Sequence, residues 1–115
     1  MSPAIRIDTA NQLRTHAPIF AALGDETRLS LVARLAGDEP CSIVHLTDGT
    51  RLTRQAVTKH LRVLEDVGIV RSIRSGRESL FELDPQPIEA VRTYLELVSE
   101  QWDRTLARLK TFVER

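Results

Sequence analysis

The sequence of 115 residues contains a single cysteine, Cys41, and aromatic residues make up only 4% of it. One cysteine excludes an intrachain disulfide framework and fits a reducing compartment, so a cytoplasmic protein is expected. No run approaches the roughly 18 apolar residues that a membrane span needs. The stretch MSPAIRIDTANQLRTHAPIF also lacks the continuous apolar region of a signal peptide. The sequence therefore predicts a protein without a membrane partner, with a core built mainly from aliphatic side chains.

The chain also lacks a net charge, because 16 Lys and Arg residues balance 16 Asp and Glu residues. Neutrality by itself argues against nucleic acid as a partner. The distribution of charge argues for it: seven cationic and two anionic side chains lie between Arg51 and Arg77, a net +5 against −5 elsewhere. A charged run usually marks only a solvated surface, so the excess gains meaning where it coincides with a structural pattern.

Catalytic motifs are missing as well. No nucleophile and base fall into a recognisable arrangement, and the sequence contains neither a glycine-rich phosphate loop nor a set of metal ligands. We therefore predict that the chain is not an enzyme and that it has no cofactor and no metal.

The periodicity of apolar residues predicts a single domain, 1–115, that is mainly α-helical with a small β-hairpin. Pro18 is expected to kink or break the first helix near His16 and Ala17. The predicted elements are a first helix at 9–23, a second helix at 25–37, a helix-turn-helix at 42–67, a hairpin wing at 69–84 and a C-terminal helix at 88–114.

The segment LTRQAVTKHLRVLEDVGIV, residues 52–70, places two different faces on one helix. At 100° per residue, an arc of about 140° is apolar and is expected to be buried; it carries Ala56, Val57, Leu61, Leu64 and Val67. A separate polar arc carries Arg54, Gln55, Thr58, Lys59 and Arg62. Thr53 is the expected N-cap and Gly68 the expected terminator. His60 lies between the arcs and is predicted to hydrogen-bond within the fold.

The polar arc and the hairpin have side chains of the types that commonly contact DNA in other proteins. Gln55 can make a two-point contact with adenine and Arg54 with guanine, while the other polar side chains suit phosphates or a thymine methyl. The helix N-terminus suits a phosphate, and the hairpin tip suits a minor groove because arginines flank Ser75-Gly76. The predicted DNA-binding residues are Thr53, Arg54, Gln55, Thr58, Lys59, Arg62, Arg74 and Arg77.

The C-terminal helix has an apolar seam with near-heptad spacing, which is typical of a helix pair between subunits. A helix from Ile88 to Val113 would measure roughly 39 Å at 1.5 Å per residue, more than a domain of this size can bury against itself. The alternative is that the seam packs entirely within the subunit core. The predicted dimer-interface residues are Leu13, Phe20, Val91, Leu95, Val98, Trp102, Leu106 and Leu109.

Three stretches, ALGDETRL, QAVTKHLRVLEDVGIV and SGRE, occur in an order that resembles the ArsR family of winged helix-turn-helix repressors. The resemblance covers residues 19–84, and the ending WDRTLARLKTFVE is similar to that of one subgroup. It implies a homodimer that binds a roughly two-fold double-stranded DNA operator and is released by a signal. A small-molecule effector, a protein effector and no effector all stay open.

Metal sensing in the family, as the resemblance implies it, relies on patterns that this sequence lacks. A Cys-x-Cys pair would fall at Ser42 and Val44, and ligands in the last helix would need a histidine after His60. The remaining candidate is a metal or thiol sensor that uses Cys41 and His45, an i,i+4 pair, joined by Asp48 or His16. A winged-helix module that binds protein instead of DNA is the other alternative.

Overall fold

The computed structural model describes residues 10–37 and 39–114 and confirms a mainly α-helical fold with a small wing. In chain order the elements are α1 (Ala10–Leu23), α2 (Glu26–Gly37), β1 (Cys41–Ser42), α3 (Ile43–Thr47), α4 (Arg54–Asp66), β2 (Val70–Ser75), β3 (Glu78–Leu83) and α5 (Pro85–Val113). Thr9, the first residue of the predicted first helix, lies outside the described residues. Helix α5 begins before Ile88 because Asp84 caps it, accepting the Gln86 backbone N–H at 3.0 Å.

The expected kink or break at Pro18 does not divide the first helix, since α1 is a single helix from Ala10 to Leu23 with Pro18 inside it. A proline there removes one helical hydrogen bond. Tertiary packing stabilises the helical turn after Pro18, because Ile19 and Ala22 are buried in the core. The helix therefore continues through Pro18, although a proline would be expected to end it at the preceding residue.

The sheet has three strands instead of the predicted two. Strands β2 and β3 form the expected antiparallel hairpin, and β1 pairs antiparallel with the other side of β3, so the order is β1-β3-β2. The pairing places Cys41 opposite Phe81 and Ser42 opposite Leu80. A two-residue strand has no periodicity to reveal it, which explains why the sequence prediction missed it.

One apolar core lies between α2, α3, α4 and the base of the sheet. Its most deeply buried large side chains, each no more than 1% exposed, are Leu46, Leu61, Leu64, Ile69, Val57 and Val70. Three of these come from the predicted buried stripe of α4, while Ala56 and Val67 of that stripe are half-buried. The stripe therefore faces inward as predicted.

Helix α4 ends in a Schellman motif that leads directly into the wing. The Gly68 N–H donates to the Glu65 carbonyl and the Ile69 N–H to the Leu64 carbonyl, both at 3.0 Å. Gly68 has a φ of 82°, a conformation that disfavours residues with a Cβ. Because Val70 begins β2 two residues later, the direction of the wing is set by this turn.

Replacement of Leu64 by alanine tests the core. Leu64 is fully buried, so we expect Leu64→Ala to lower the free energy of unfolding by about 2–5 kcal/mol through lost burial and a residual cavity. Urea denaturation followed by circular dichroism measures the change. Leu29→Ala is the matched control, because Leu29 is 51% exposed and its truncation should change stability by no more than about 0.5 kcal/mol. Equal losses in the two variants would contradict this assignment of the core.

Candidate nucleic-acid interface

The N-terminus of α4 is capped and accessible. Thr53 has an extended backbone, and its Oγ1 accepts the Ala56 backbone N–H at 3.1 Å. This cap satisfies one of the backbone N–H groups that the first turn leaves without a helical partner. The hydroxyl proton of Thr53 is not used by the cap, so the exposed residue can still donate outward.

The polar arc of α4 faces solvent. Arg54, Gln55, Lys59 and Arg62 are exposed, whereas Thr58 is half-buried. The Thr58 hydroxyl donates to the Arg54 carbonyl at 2.7 Å, which leaves its lone pairs and its methyl group for an external contact. The structure thus brings all five residues of the predicted arc to one side of the helix.

The wing carries its arginines at an exposed tip. Ser75 pairs with Glu78, so the hairpin loop has two residues, Gly76 and Arg77. Gly76 has a φ of 62°, and no described non-glycine residue has a positive φ, which fits the type II′ pattern with glycine first. Arg74 and Arg77 are both exposed beside this turn.

Within the described residues, the cations of the interface form no ion pair with an anionic side chain, a property that they share with other cations such as Arg14, Arg51 and Lys110. Within residues 10–37 and 39–114, no ion pair involves the set Arg54, Lys59, Arg62, Arg74 and Arg77. By contrast, Arg71 at the base of the wing has two anionic partners. Its Nε donates to Glu82 Oε2 at 2.6 Å, and its Nη1 lies 3.9 Å from Asp84 Oδ2. The hydrogen bond that Arg71 donates to Glu82 raises the pKa of Arg71. Arg71 therefore belongs to the wing's internal structure.

Contacts behind α4 hold the interface in place, and the sequence analysis did not identify them. Arg34 of α2 donates from Nη1 to the Leu46 carbonyl at 3.0 Å and from Nη2 to the His45 carbonyl at 3.1 Å, near the end of α3. The Ser72 hydroxyl donates to Glu65 Oε2 at 3.2 Å and so joins β2 to α4. The one sequence signal for this structural role is that Arg34 lies among the regularly spaced apolar residues of α2.

His60 is bonded within the fold, as predicted. Its Nδ1 lies 3.4 Å from Arg28 Nη1 and 3.8 Å from Asp25 Oδ2. Asp25 caps α2 by accepting the Arg28 backbone N–H at 3.0 Å, and this bond is the main reason that the pKa of Asp25 lies below its usual value. His60 therefore faces the start of α2 and not the polar arc.

The alternative metal or thiol site at Cys41 and His45 does not have the expected geometry. Cys41 lies in β1, ahead of the Ser42 N-cap, so it does not share a face of α3 with His45. Cys41 is 4% exposed and its Sγ donates to the Glu39 carbonyl at 3.1 Å, whereas His45 is exposed. In the part of the chain that the structure describes, no three His, Cys, Asp or Glu side chains are grouped to hold a metal ion.

The predicted dimer seam is divided between core and surface. Val91 is 6% exposed and packs in the subunit's own core, because α5 contacts the domain near its start. Leu13 and Phe20 of α1 are 47% and 36% exposed. Val98 is half-buried. The other distal seam residues are 48–61% exposed; these are Leu95, Trp102, Leu106 and Leu109.

No described helix is long and apolar enough to cross a membrane.

Helix α3, the following turn, helix α4 and the hairpin form a winged helix-turn-helix, with the polar arc of α4 and the wing tip exposed. A family model described as "Helix-turn-helix domain" matches residues 23–73. The chain is 36% identical over 77 residues to the uncharacterized HTH-type transcriptional regulator YuzN of Bacillus subtilis, covering 62% of this chain and 84% of that one. It is 35% identical over 87 residues to the HTH-type transcriptional regulator Rv2034 of Mycobacterium tuberculosis, covering 76% and 78%. These features define a DNA-binding transcriptional regulator.

A solved structure extends the similarity to nearly the whole chain. It is described as an ArsR-like transcriptional regulator from Rhodococcus sp. RHA1, with a TM-score of 0.81 and 33% identity, covering 92% of this chain and 96% of that one. The chain belongs to the ArsR family of winged helix-turn-helix transcriptional regulators.

Two threonines of α4 give a matched test of the cap. Thr53→Ala removes the acceptor for the Ala56 N–H, so we expect it to lower the free energy of unfolding by about 1 kcal/mol. Thr58→Ala removes only a side-chain bond to a helix carbonyl and improves helix propensity, so its stability should change by less than about 0.5 kcal/mol. Urea denaturation of both variants provides the comparison, and a larger loss for Thr58→Ala would refute the cap assignment.

Proposed function

We propose that the protein is a homodimeric repressor that binds a palindromic DNA operator. Helix α4 enters the major groove, and the wing tip approaches the adjacent minor groove. The observation that carries this proposal is that exposed cations lie on the polar arc of α4 and at the wing tip, where no ion pair among the described residues offsets them. Duplex DNA offers regularly spaced phosphates that can pair with them.

Roles within the interface follow from side-chain chemistry. Arg54 and Gln55 lie in the first turn of α4, the part of a recognition helix that reaches base edges, and both have two-point hydrogen-bonding groups. Lys59 and Arg62 lie one and two turns further on, where phosphate contacts are expected. Arg74 and Arg77 supply cations on both sides of the small wing tip.

The terminal helices supply the proposed dimer contact. Helix α5 has 29 residues, about 43 Å at 1.5 Å per residue, and its distal half carries the exposed side chains of Trp102, Leu106 and Leu109. A soluble monomer rarely exposes a continuous apolar stripe of this kind. A second copy of the helix would cover the stripe and place two α4 helices on one duplex. Repression relieved by a signal is part of the proposal, with a small molecule as one candidate for that signal.

Two substitutions test the DNA interface. Gln55→Ala removes a two-point base contact and should lower affinity for a selected duplex by about 1–3 kcal/mol, with less effect on a scrambled duplex. Arg62→Ala should weaken both duplexes similarly and reduce the slope of log affinity against log salt by about 1. Fluorescence anisotropy can measure both, using a duplex recovered by selection from a random library.

Arg92→Ala is the control for these variants, because Arg92 is exposed on α5 beside Glu89 and Glu96. We expect its affinity and salt slope to match those of the unmodified protein. If Gln55→Ala and Arg62→Ala also match the unmodified protein, the proposed interface is wrong.

A pair of charge insertions tests the dimer. Leu109→Glu places a carboxylate on the apolar seam and should shift the protein toward monomer, because a buried unpaired charge strongly opposes association. Thr111→Glu inserts the same charge two residues away, on the opposite side of α5, and should remain dimeric. Sedimentation equilibrium across a concentration series distinguishes the two outcomes, and an identical association constant for both variants would contradict an α5 interface.

A further inference from the structure

Arg28 joins three helices at a point away from the exposed polar arc. Its Nε donates to the Ala22 carbonyl at 2.5 Å, and its Nη2 lies 3.4 Å from the Ala21 carbonyl. Both carbonyls belong to the last turn of α1, where carbonyls lack partners within the helix, and the Ala21 carbonyl also accepts the Gly24 backbone N–H at 3.2 Å. The third nitrogen, Nη1, lies 3.4 Å from His60 Nδ1 in the middle of α4.

The side chains of Arg28 and His60 have limited freedom to move, because other contacts also hold them. The Arg28 backbone is fixed by the Asp25 cap, and its side chain is partly buried between the end of α1 and α4. The His60 side chain is 25% exposed. His60 is a neighbour of Lys59 in sequence and lies at the edge of the polar arc, so movement of His60 relative to Arg28 would rotate the polar arc about the axis of α4.

We propose that Arg28 is a positioning residue for the recognition helix: it fixes the rotation of α4 relative to α1 by donating to the unprotonated Nδ1 of His60. The inference rests on the proposed use of α4 to read DNA. Such reading needs side chains held within about 0.5 Å and 10–20° of the productive geometry. A contact that sets helix rotation therefore affects base-specific affinity more than phosphate affinity.

Protonation of His60 removes this contact. An imidazolium Nδ1 carries a hydrogen and cannot accept from Arg28, which stays charged, so two like charges would then face each other at 3.4 Å. The charged groups that face His60 are Arg28 and Asp25, both from the start of α2, while α1 contributes the carbonyls held by Arg28. The Asp25 carboxylate, 3.8 Å away, would draw the imidazolium toward it.

The consequence is a sequence preference that depends on pH. Imidazole normally changes charge between about pH 5 and pH 8. Protonation of His60 should lower base-specific affinity, while the added charge on α4 leaves sequence-blind affinity equal or higher. The ratio of affinities for the selected and scrambled duplexes therefore isolates the positioning effect from simple electrostatics.

The experiment measures this ratio from about pH 8 to about pH 5.5 at constant ionic strength, at a temperature where circular dichroism shows each variant folded. We expect a fall of about fivefold or more for the unmodified protein. His60→Gln keeps a side-chain acceptor for Arg28 without titrating, so its ratio should stay high and flat. Arg28→Lys keeps the charge but replaces the three separate nitrogens that contact Ala21, Ala22 and His60 with a single ammonium nitrogen, so its ratio should be low at the upper pH and flat.

His45→Gln is the control for another histidine, because His45 is exposed on α3 beside the proposed DNA surface. This variant should retain the pH dependence of the unmodified protein. The inference is overturned if the unmodified protein shows a flat ratio, if His60→Gln retains the fall, or if Arg28→Lys keeps a high ratio at the upper pH.

A titration of the free protein separates this inference from the proposed function. In two-dimensional amide NMR spectra, the signals of Ala21, Ala22 and the first turn of α4 should shift with the His60 midpoint, and Arg28→Lys should abolish those shifts. If they occur but Gln55→Ala leaves DNA affinity unchanged, the coupling stands and the proposed reading surface fails. If the shifts stay confined to the immediate neighbours of His60, the coupling itself is refuted.

Discussion

The burial of one stripe of α4 is the constraint on which the remaining structure depends. Val57, Leu61 and Leu64 are at most 1% exposed, and they pack against Leu46 of α3 and Ile69 at the start of the wing within one core. Side chains on a helix have fixed angular relations, so burial of this stripe turns the opposite arc toward solvent. The outward direction of the polar arc therefore comes from apolar packing, and the proposed contact between Arg28 and His60 adjusts the rotation of α4 only within the limits that this packing sets.

The two ends of α4 convert this packing into a defined surface. The N-terminal cap presents an ordered first turn, and the C-terminal Schellman motif sends the chain into β2 after two residues. The bond between Ser72 and Glu65 joins the first strand of the wing to the last turn of α4. The turn and this hydrogen bond hold α4 and the wing together. Cations far apart in sequence, such as Arg54 and Arg77, can therefore belong to one surface.

Local signals in the sequence were sufficient for the elements that carry the interface. The side-chain caps at Ser42 and Thr53 and the glycine at Gly68 act within a few residues of themselves, so their chemistry can be read directly from the chain. Long-range contacts could not be read in this way. Strand β1 exists only because Phe81 and Leu80 arrive beside it, and its formation moves Cys41 into the core and away from the face of α3. The passage of α1 through Pro18 likewise depends on the packing of distant residues.

Charge placement explains how a chain without net charge can have a surface for a polyanion. Arg71 pairs with Glu82 across the hairpin, and Arg92 and Arg104 pair with glutamates on α5, so these cations are offset locally. The cations of α4 and the wing tip have no such ion pairs within the described residues. At physiological salt, charges interact strongly only within about 8 Å. A phosphate beside α4 therefore experiences the unpaired cations nearby more than the acidic residues elsewhere, and the net charge of the chain is a poor guide to its partner.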